Sequence, residues 1–318
     1  MDPPLRFAGG FFTEIPVVVV TLSDGVHRGR GEAAGVYFLD ETPPRLAAQI
    51  EGVREAVEGG ITRAALGKLL PPGGARNALD CALWDLEAKR SGTPAWRLAD
   101  LAAPVPLLTT YTLGADAPEV MAEGARGRYR DAKAIKLKLL GDGADAKRVR
   151  AVRAAREDVW LGVDANQSFT SQQLNDLMPV LIDARVALIE QPCKVGREAE
   201  LDGFASPIPL AADESVQVLT DIVALVGRFQ VMNIKLDKCG GLTEALKMAK
   251  LGRRLGLGIM VGNMGGTSLA MAPALLVGQY CDIVDLDGPL FLKSDRPPAL
   301  IYHQGLVSAP DAGWGAAA

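Results

Sequence analysis

Residues 134–140 read Ala-Ile-Lys-Leu-Lys-Leu-Leu, and residues 159–166 read Val-Trp-Leu-Gly-Val-Asp-Ala-Asn. Each is a short apolar run that ends in charged or amide side chains. Outward from these two, similar runs occur at 107–113, 186–189, 208–212, 231–236, 258–261 and 283–286. Amphipathic stretches such as 145–156, 171–183 and 242–255 separate them. Eight strands that alternate with helical returns predict a (β/α)-barrel, because parallel strands need crossover connections. An open doubly wound sheet is the competing fold, but no GxGxxG follows the first run.

The first hundred residues are built differently. Residues 17–22 read Val-Val-Val-Val-Thr-Leu, then come Ser23-Asp24-Gly25 and Gly29-Arg30-Gly31-Glu32-Ala33. These predict an antiparallel meander, followed by helices over 44–58 and 76–90. Strands first and helices second describe an α+β unit. Pro104-Val105-Pro106 reads as the linker. The expected domains are an α+β cap over 1–104, with the tail 293–318 packing on it, and a barrel over 105–292.

Composition narrows the function. The 318 residues are 48% apolar and 23% charged, as in ordinary globular chains. Net charge is 34 − 38 = −4, which leaves no excess of positive charge for a phosphate backbone, so no nucleic-acid partner is expected. The only histidines are His27 and His303, which disfavours a His-rich zinc site and a Ser-His-Asp triad. Cys81, Cys193, Cys239 and Cys281 are far apart and read as buried thiols of a reducing compartment. Residues 255–281 carry no charge and are long enough to span a bilayer. Their glycines, Asn263 and Pro273 instead predict a strand over 258–261, a turn, and a buried helix over about 268–276. With no secretory signal or membrane partner expected, the location is read as cytoplasmic.

Charge collects where the strands end, the face on which barrel enzymes carry their chemistry. The runs close with Lys136-Leu137-Lys138, Asp164-Ala165-Asn166, Glu190-Gln191-Pro192, Asp213-Glu214-Ser215, Lys235-Leu236-Asp237 and Asp285-Leu286-Asp287. The spacings 164 − 138 = 26, 190 − 164 = 26, 213 − 190 = 23 and 235 − 213 = 22 each amount to one βα unit. Asp164, Glu190 and Asp213 are therefore expected side by side. Ionised carboxylates that close repel by about 4 kcal/mol per pair at an effective dielectric of 20. A hard divalent cation relieves this, and an all-oxygen set favours Mg²⁺, with Mn²⁺ able to substitute.

Lys138 and Lys235 flank the trio on strands expected to face each other across the mouth. That placement suits removal of a proton from one face of a carbon and its return to the other. A lysine base needs its pKa lowered to about 7–8, at a cost of roughly 4 kcal/mol. Lys136 and the cation are the expected sources of this shift for Lys138. Each residue has a plainer reading: a solvated strand end for Lys136 and Lys138, a helix cap for Asp164 or Asp213, a turn for Glu190 and for Asp285-Leu286-Asp287-Gly288-Pro289. Arg126, Arg128, Arg130 and Lys133 read as a solvated, unpartnered helix face, as do Lys247, Lys250, Arg253 and Arg254. Phe11-Phe12 reads equally as cap packing or as a lid.

In this order, Lys-x-Lys, Asp-Ala-Asn, Glu-Gln-Pro, Ala-Asp-Glu-Ser and Asn-Ile-Lys resemble the muconate-lactonizing-enzyme subgroup of the enolase superfamily, over nearly the whole chain. That superfamily is a worked example of a Lys or His base acting with Mg²⁺. The resemblance implies a (β/α)7β barrel with an N-terminal cap. It implies Mg²⁺ on Asp164, Glu190 and Asp213, and Lys138 and Lys235 as acid/base pair with Lys136 assisting. Asn166 and Glu214 are expected to support the ligands.

Asp285-Leu286-Asp287 resembles the Asp-x-Asp motif of dipeptide epimerases, where it would receive the substrate ammonium. The expected reaction is inversion of the second residue's α-carbon by two-lysine proton transfer through an enediolate. Ala-Glu epimerases tend to carry an arginine in the mobile N-terminal loop, and Gly9 stands at that position here. The second residue is therefore expected to be hydrophobic or cationic. Residues 37–41 (Tyr-Phe-Leu-Asp-Glu) form the capping loop, and 263–266 are expected to line the pocket. Rival readings are an N-acylamino acid racemase, o-succinylbenzoate synthase or muconate-type cycloisomerase, and a Schiff-base aldolase using Lys138 or Lys235. The family commonly forms homo-oligomers.

Overall fold

The computed structural model describes residues 1–317. The cap opens with two hairpins: β1 (Leu5–Phe7) with β2 (Gly10–Phe12), and β3 (Val18–Ser23) with β4 (Arg28–Ala33). β3 and β4 form the antiparallel pair expected over residues 17–33, and β1 with β2 forms a separate two-stranded sheet. Pro16 lies between them and has no N–H to carry a ladder onward.

The helices of the cap are α1 (Pro43–Glu51), α2 (Arg54–Glu58), α3 (Arg63–Leu69), α4 (Gly74–Ser91) and α5 (Ala95–Leu98). The single helix expected over 44–58 is broken at Gly52-Val53, where glycine weakens helix propagation. Helix α3 starts at Thr62, whose side chain accepts the Ala65 N–H at 3.2 Å. Helix α4 is buried along most of its length and lies under β4. Gly31 permits this approach, since a Cβ there would come within 2.0 Å of the Ala78 carbonyl oxygen.

The barrel follows in regular alternation. Its elements are β5 (Leu107–Leu108), β6 (Thr110–Leu113), α6 (Pro118–Arg126), β7 (Ala134–Lys138), α7 (Asp145–Ala155), β8 (Trp160–Asp164), α8 (Ser171–Asp183) and β9 (Leu188–Glu190). Then come β10 (Leu210–Ala212), α9 (Ile222–Leu225), β11 (Val231–Ile234), α10 (Leu236–Cys239), α11 (Leu242–Arg254), β12 (Gly258–Val261), α12 (Ser268–Gly278) and β13 (Ile283–Val284). Strands β6 to β13 form one parallel sheet in chain order. This is the barrel expected from the alternation, in the (β/α)7β form that the resemblance implies, with β5 outside the barrel sheet and only a short 3-10 turn (Glu198–Leu201) between β9 and β10.

Side chains close the barrel. Among the described residues no backbone ladder joins β13 to β6. Instead the Leu286 N–H donates to Thr109 Oγ1 at 2.9 Å, the Thr112 N–H to Asp287 Oδ2 at 2.6 Å, and the Thr110 hydroxyl to Asp285.

The C-terminal segment makes contact at two places. β14 (Ile301–His303) and β15 (Leu306–Ser308) extend β5 into a three-stranded antiparallel sheet. Beyond it, Trp314 Nε1 donates to the Cys81 carbonyl at 3.0 Å and the Gly315 N–H to Asp85 at 2.8 Å, which fastens the tail to α4. The charge-free stretch is β12, a glycine turn and the buried helix α12. Among the described residues no helix is long and apolar enough to cross a membrane.

The two faces expected to be solvated are exposed, but some of their cations find partners. α6 ends at Arg126, and the turn after it buries Tyr129. Arg128 donates to the carbonyls of Asp2 and Leu290, and Arg130 lies 3.7 Å from Asp131. On α11, Arg253 reaches the Tyr280 carbonyl at 2.9 Å and Asp282 at 2.8 Å, and Lys247 pairs with Glu244 at 3.3 Å. Long side chains at strand and helix ends meet carbonyls of the next unit, a contact that residue type alone does not reveal.

Candidate active site

The pairing register sets the central residues next to one another. Lys138 is the cross-strand partner of Asp164, and Asp164 that of Glu190. All three are the last residues of their strands. Asp213 and Lys235 directly follow β10 and β11. Asp164, Glu190 and Asp213 are fully buried, and each brings one oxygen to a common point where all three oxygens lie within 4.8 Å of one another.

Amines are the counter-ions of this cluster. Lys138 Nζ lies 2.6 Å from Asp164 Oδ2 and 3.0 Å from Asn166 Oδ1. Lys235 Nζ lies 2.7 Å from Asp213 Oδ2. Lys136 Nζ sits 3.1 Å from Glu190 Oε2 and also bonds Asp285. Strands β7 and β11, which deliver Lys138 and Lys235, stand four places apart in an eight-strand sheet and so lie on opposite sides of the mouth. Gly262 leaves room for Lys235, since a Cβ there would meet Lys235 Cε at 3.0 Å and Asn233 Oδ1 at 2.7 Å.

Burial pushes the Glu190 carboxyl up to about 7, and the charge on Asp164 adds to it. Burial also pushes Asp213 up, but Lys235 and Lys238 outweigh it and hold that carboxyl well below the usual range. Burial lowers Lys136 and Lys235. Asp285, Glu190 and Asp164 more than reverse this for Lys136, as do Asp213 and Glu190 for Lys235, so both amines end above the ordinary lysine value. Three carboxylates, Asp164, Glu190 and Asp285, lie within 4 Å of the Lys136 amine and balance its charge. Three hard, buried oxygen donors, one of them driven toward protonation by crowding, fit a divalent cation such as Mg²⁺.

Asp285 and Asp287 lie buried at the seam of the barrel. Asp285 is taken up by Lys136 and Thr110. Asp287 accepts the Thr112 N–H, and its other oxygen has only a long contact of 3.4 Å with Asn263 Nδ2. Burial, then the charge on Asp285, pushes Asp287 up to about 6. Glu214 is buried beside the trio. One of its oxygens takes Asn166 Nδ2 at 3.3 Å and the other has no hydrogen-bond partner.

Above the lysines the cap supplies an aromatic lid. The rings of Phe7 and Phe12 lie 5.2 Å apart, and Tyr37 packs edge-on against both at 5.6 and 5.4 Å. Lys138 Nζ lies 5.5 Å from the Phe7 ring centre. Phe12 lines the cavity, as the lid reading expects, while Phe11 is 61% exposed and fits neither reading. Asn263, Met264 and Gly265 also line the cavity. Arg6 is exposed and does not line it.

Several site residues escaped the sequence reading. Asn233 Nδ2 donates to Glu190 Oε1 at 2.6 Å. It stands two residues before Lys235 on the same strand face, a spacing that could have revealed it. Lys238 is fully buried against Asp213. The Gln191 side chain binds the Asp213 and Ser215 N–H groups at 2.8 and 3.1 Å, and its own backbone sits at φ 36°. Non-glycine residues in this region are uncommon and cluster at functional sites.

Known proteins resemble this chain in sequence and fold. The chain is 40% identical to the L-Ala-D/L-Glu epimerase of Escherichia coli (strain K12) over 306 residues, 96% of this chain and 95% of that protein. It is 37% identical to the N-acetyl-D-glutamate racemase of a Pseudoalteromonas species over 296 residues, 92% of each. Its fold superposes with a TM-score of 0.92 on an enolase family member from Agrobacterium tumefaciens with homology to dipeptide epimerases, solved with sodium and L-Ala-L-Glu. That match has 41% identity and covers 96% of this chain and 93% of the other. Residues 1–99 match the mandelate racemase / muconate lactonizing enzyme N-terminal domain, and residues 119–317 match the enolase C-terminal domain-like model. Cap, barrel and carboxylate trio thus meet in a chain that belongs to the mandelate racemase / muconate lactonizing enzyme family of the enolase superfamily.

Proposed function

We propose that this isomerase is a Mg²⁺-dependent dipeptide epimerase that inverts the α-carbon of the second residue. The carrying observation is the placement of Lys138 and Lys235 on opposite sides of the mouth, each against one acid of a carboxylate trio. Asp164, Glu190 and Asp213 would hold the ion. Bound there, Mg²⁺ supplies positive charge that opposes the negative charge developing on the substrate carboxylate as the α-proton leaves.

The chain's own groups do the rest. One lysine takes the α-proton and the other returns a proton from the opposite face. Lys136 neutralises charge beside Glu190 and Asp285. Asp287, which keeps hydrogen-bonding capacity to spare, receives the substrate ammonium, with Asp285 beside it. Asn166 and Glu214 steady the ligand side of the mouth.

The side-chain preference follows from the lining. Leu5, Phe7, Phe12, Ile15, Phe38 and Phe291 form the outer wall. The cations that reach the cavity are Lys136, Lys138 and Lys235, all committed to carboxylates. A glutamate side chain finds no free cation there, so a hydrophobic second residue is favoured. The Escherichia coli relative is an L-Ala-D/L-Glu epimerase; Gly9 and this apolar wall support a different second residue for the present chain.

Similarity to an N-acetyl-D-glutamate racemase favours a second reading, racemisation of N-acylamino acids. A library of dipeptides and N-acetylamino acids, read by deuterium incorporation in D₂O, separates the two. Exchange confined to N-acetyl substrates would overturn the epimerase reading. A tenfold or greater preference for L-Ala-L-Glu over apolar dipeptides would overturn the proposed specificity.

A further inference from the structure

Two buried carboxylates tie the cap to the barrel mouth, one from each side. Glu32 of β4 accepts the N–H and the hydroxyl of Thr267, both at 2.7 Å, and Arg296 Nε at 3.0 Å. It thereby grips the loop after β12. Asp237 reaches the other way. It lies in α10, two residues after Lys235, and its Oδ1 accepts the Gly35 N–H of the cap at 2.9 Å. Asp237 is 5% exposed, and among the described residues no lysine or arginine pairs with it. A buried carboxylate held by another domain's amide is costly to leave unpaired, so the contact fixes both sides.

The clasped backbone leads straight into the lid. Gly35 and Val36 precede Tyr37 and Phe38, which line the cavity. Tyr37 packs edge-on to Phe7, whose ring stands over Lys138. From the cap side, Glu41 holds the same loop by accepting the N–H groups of Val36 at 2.8 Å and Gly74 at 3.0 Å. The one-turn helix that starts at Lys235 thus also carries the anchor of the aromatic wall.

We infer that Asp237 is a positioning residue: through Gly35 it sets the height of the Tyr37–Phe38 wall above the two lysines, and so sets selectivity for the substrate's second side chain. This rests on the dipeptide reading above.

The test compares wild type, Asp237→Asn, Glu41→Gln and Glu32→Gln as Mg²⁺-loaded proteins. Amide hydrogen exchange over residues 34–41 should quicken about tenfold in Asp237→Asn and Glu41→Gln, where a charged acceptor becomes a weaker neutral amide oxygen, with 263–267 unchanged. Glu32→Gln should show the reverse pattern. The kcat/KM ratio for L-Ala-L-Leu over L-Ala-L-Ala should fall by about fivefold or more in the first two variants, mainly through KM. Equal losses for both dipeptides, or unaltered exchange at 34–41, would overturn the inference. Should Asp237→Asn fail to fold, Glu41→Gln decides by the same two readouts. Should wild type exchange no dipeptide α-proton, the proposed activity fails, and hydrogen exchange still judges the clasp.

Discussion

Lys238 Nζ lies 2.6 Å from Oδ1 of Asp213 and 2.5 Å from that residue's carbonyl oxygen, with no solvent contact to speak of. It also donates to the Asn233 carbonyl at 3.1 Å. One oxygen of Asp213 is thus occupied from below, and the other is left for the mouth. Removing one partner of a buried ion pair leaves an uncompensated charge, which costs about 3–5 kcal/mol. Lys238→Met should lose that much stability in urea unfolding of the metal-free protein. A loss under about 1 kcal/mol would show that Asp213 does not depend on this amine.

The two mouth lysines should be separable by stereochemistry. Lys138→Ala and Lys235→Ala should each lower epimerisation by about 10²–10⁴-fold, the usual worth of a positioned acid or base. Each variant should still exchange the α-proton of at most one substrate enantiomer, and the two should choose opposite ones. NMR in D₂O with L-Ala-L-Leu and L-Ala-D-Leu reads this directly. Full two-way activity in Lys235→Ala would refute the two-base scheme.

Metal removal distinguishes this chemistry from that of a Schiff-base lysine. EDTA should abolish activity, and Mg²⁺ or Mn²⁺ should restore it. Borohydride with a carbonyl substrate should leave no adduct on Lys138 or Lys235 by mass spectrometry. A trapped lysine together with EDTA-resistant activity would reverse the assignment.

Acid should weaken substrate binding through Asp287. Its carboxyl is pushed up to about 6 by burial and by Asp285, so it is charged above that pH and neutral below it. An ammonium needs the charged form. KM for a dipeptide should therefore rise as pH falls through about 6, at most tenfold per pH unit. Asp287→Asn should raise KM by roughly 10–100-fold, as for a lost charged hydrogen bond, and remove this limb of the profile. An identical acid limb in the variant would place the titration elsewhere.

The strand ends were legible because their signal repeats. Five charged tripeptides at one-unit intervals fix the register, and the paired Cα positions of Lys138, Asp164 and Glu190 follow from it. Asp237 and Lys238 were not legible. They follow Lys235 on a single helical turn, where sequence spacing does not say which side faces the cap and which the metal cluster. The broken helix at Gly52 turns on a single residue inside an otherwise persuasive pattern. The Arg128 and Arg253 bonds involve carbonyl oxygens, which every residue carries and which therefore leave no mark in the sequence.

The barrel is stitched shut at β6 and β13 by Thr110, Thr112, Asp285 and Asp287 instead of by a backbone ladder. Under the proposed function, recognition of the substrate's amino end and closure of the cylinder draw on the same few oxygen atoms. New specificities in such a scaffold can arise by rewriting that join, but Lys136 of the adjoining β7 already holds Asp285, so each rewrite must suit the neighbouring amines and also keep the staves of the cask together.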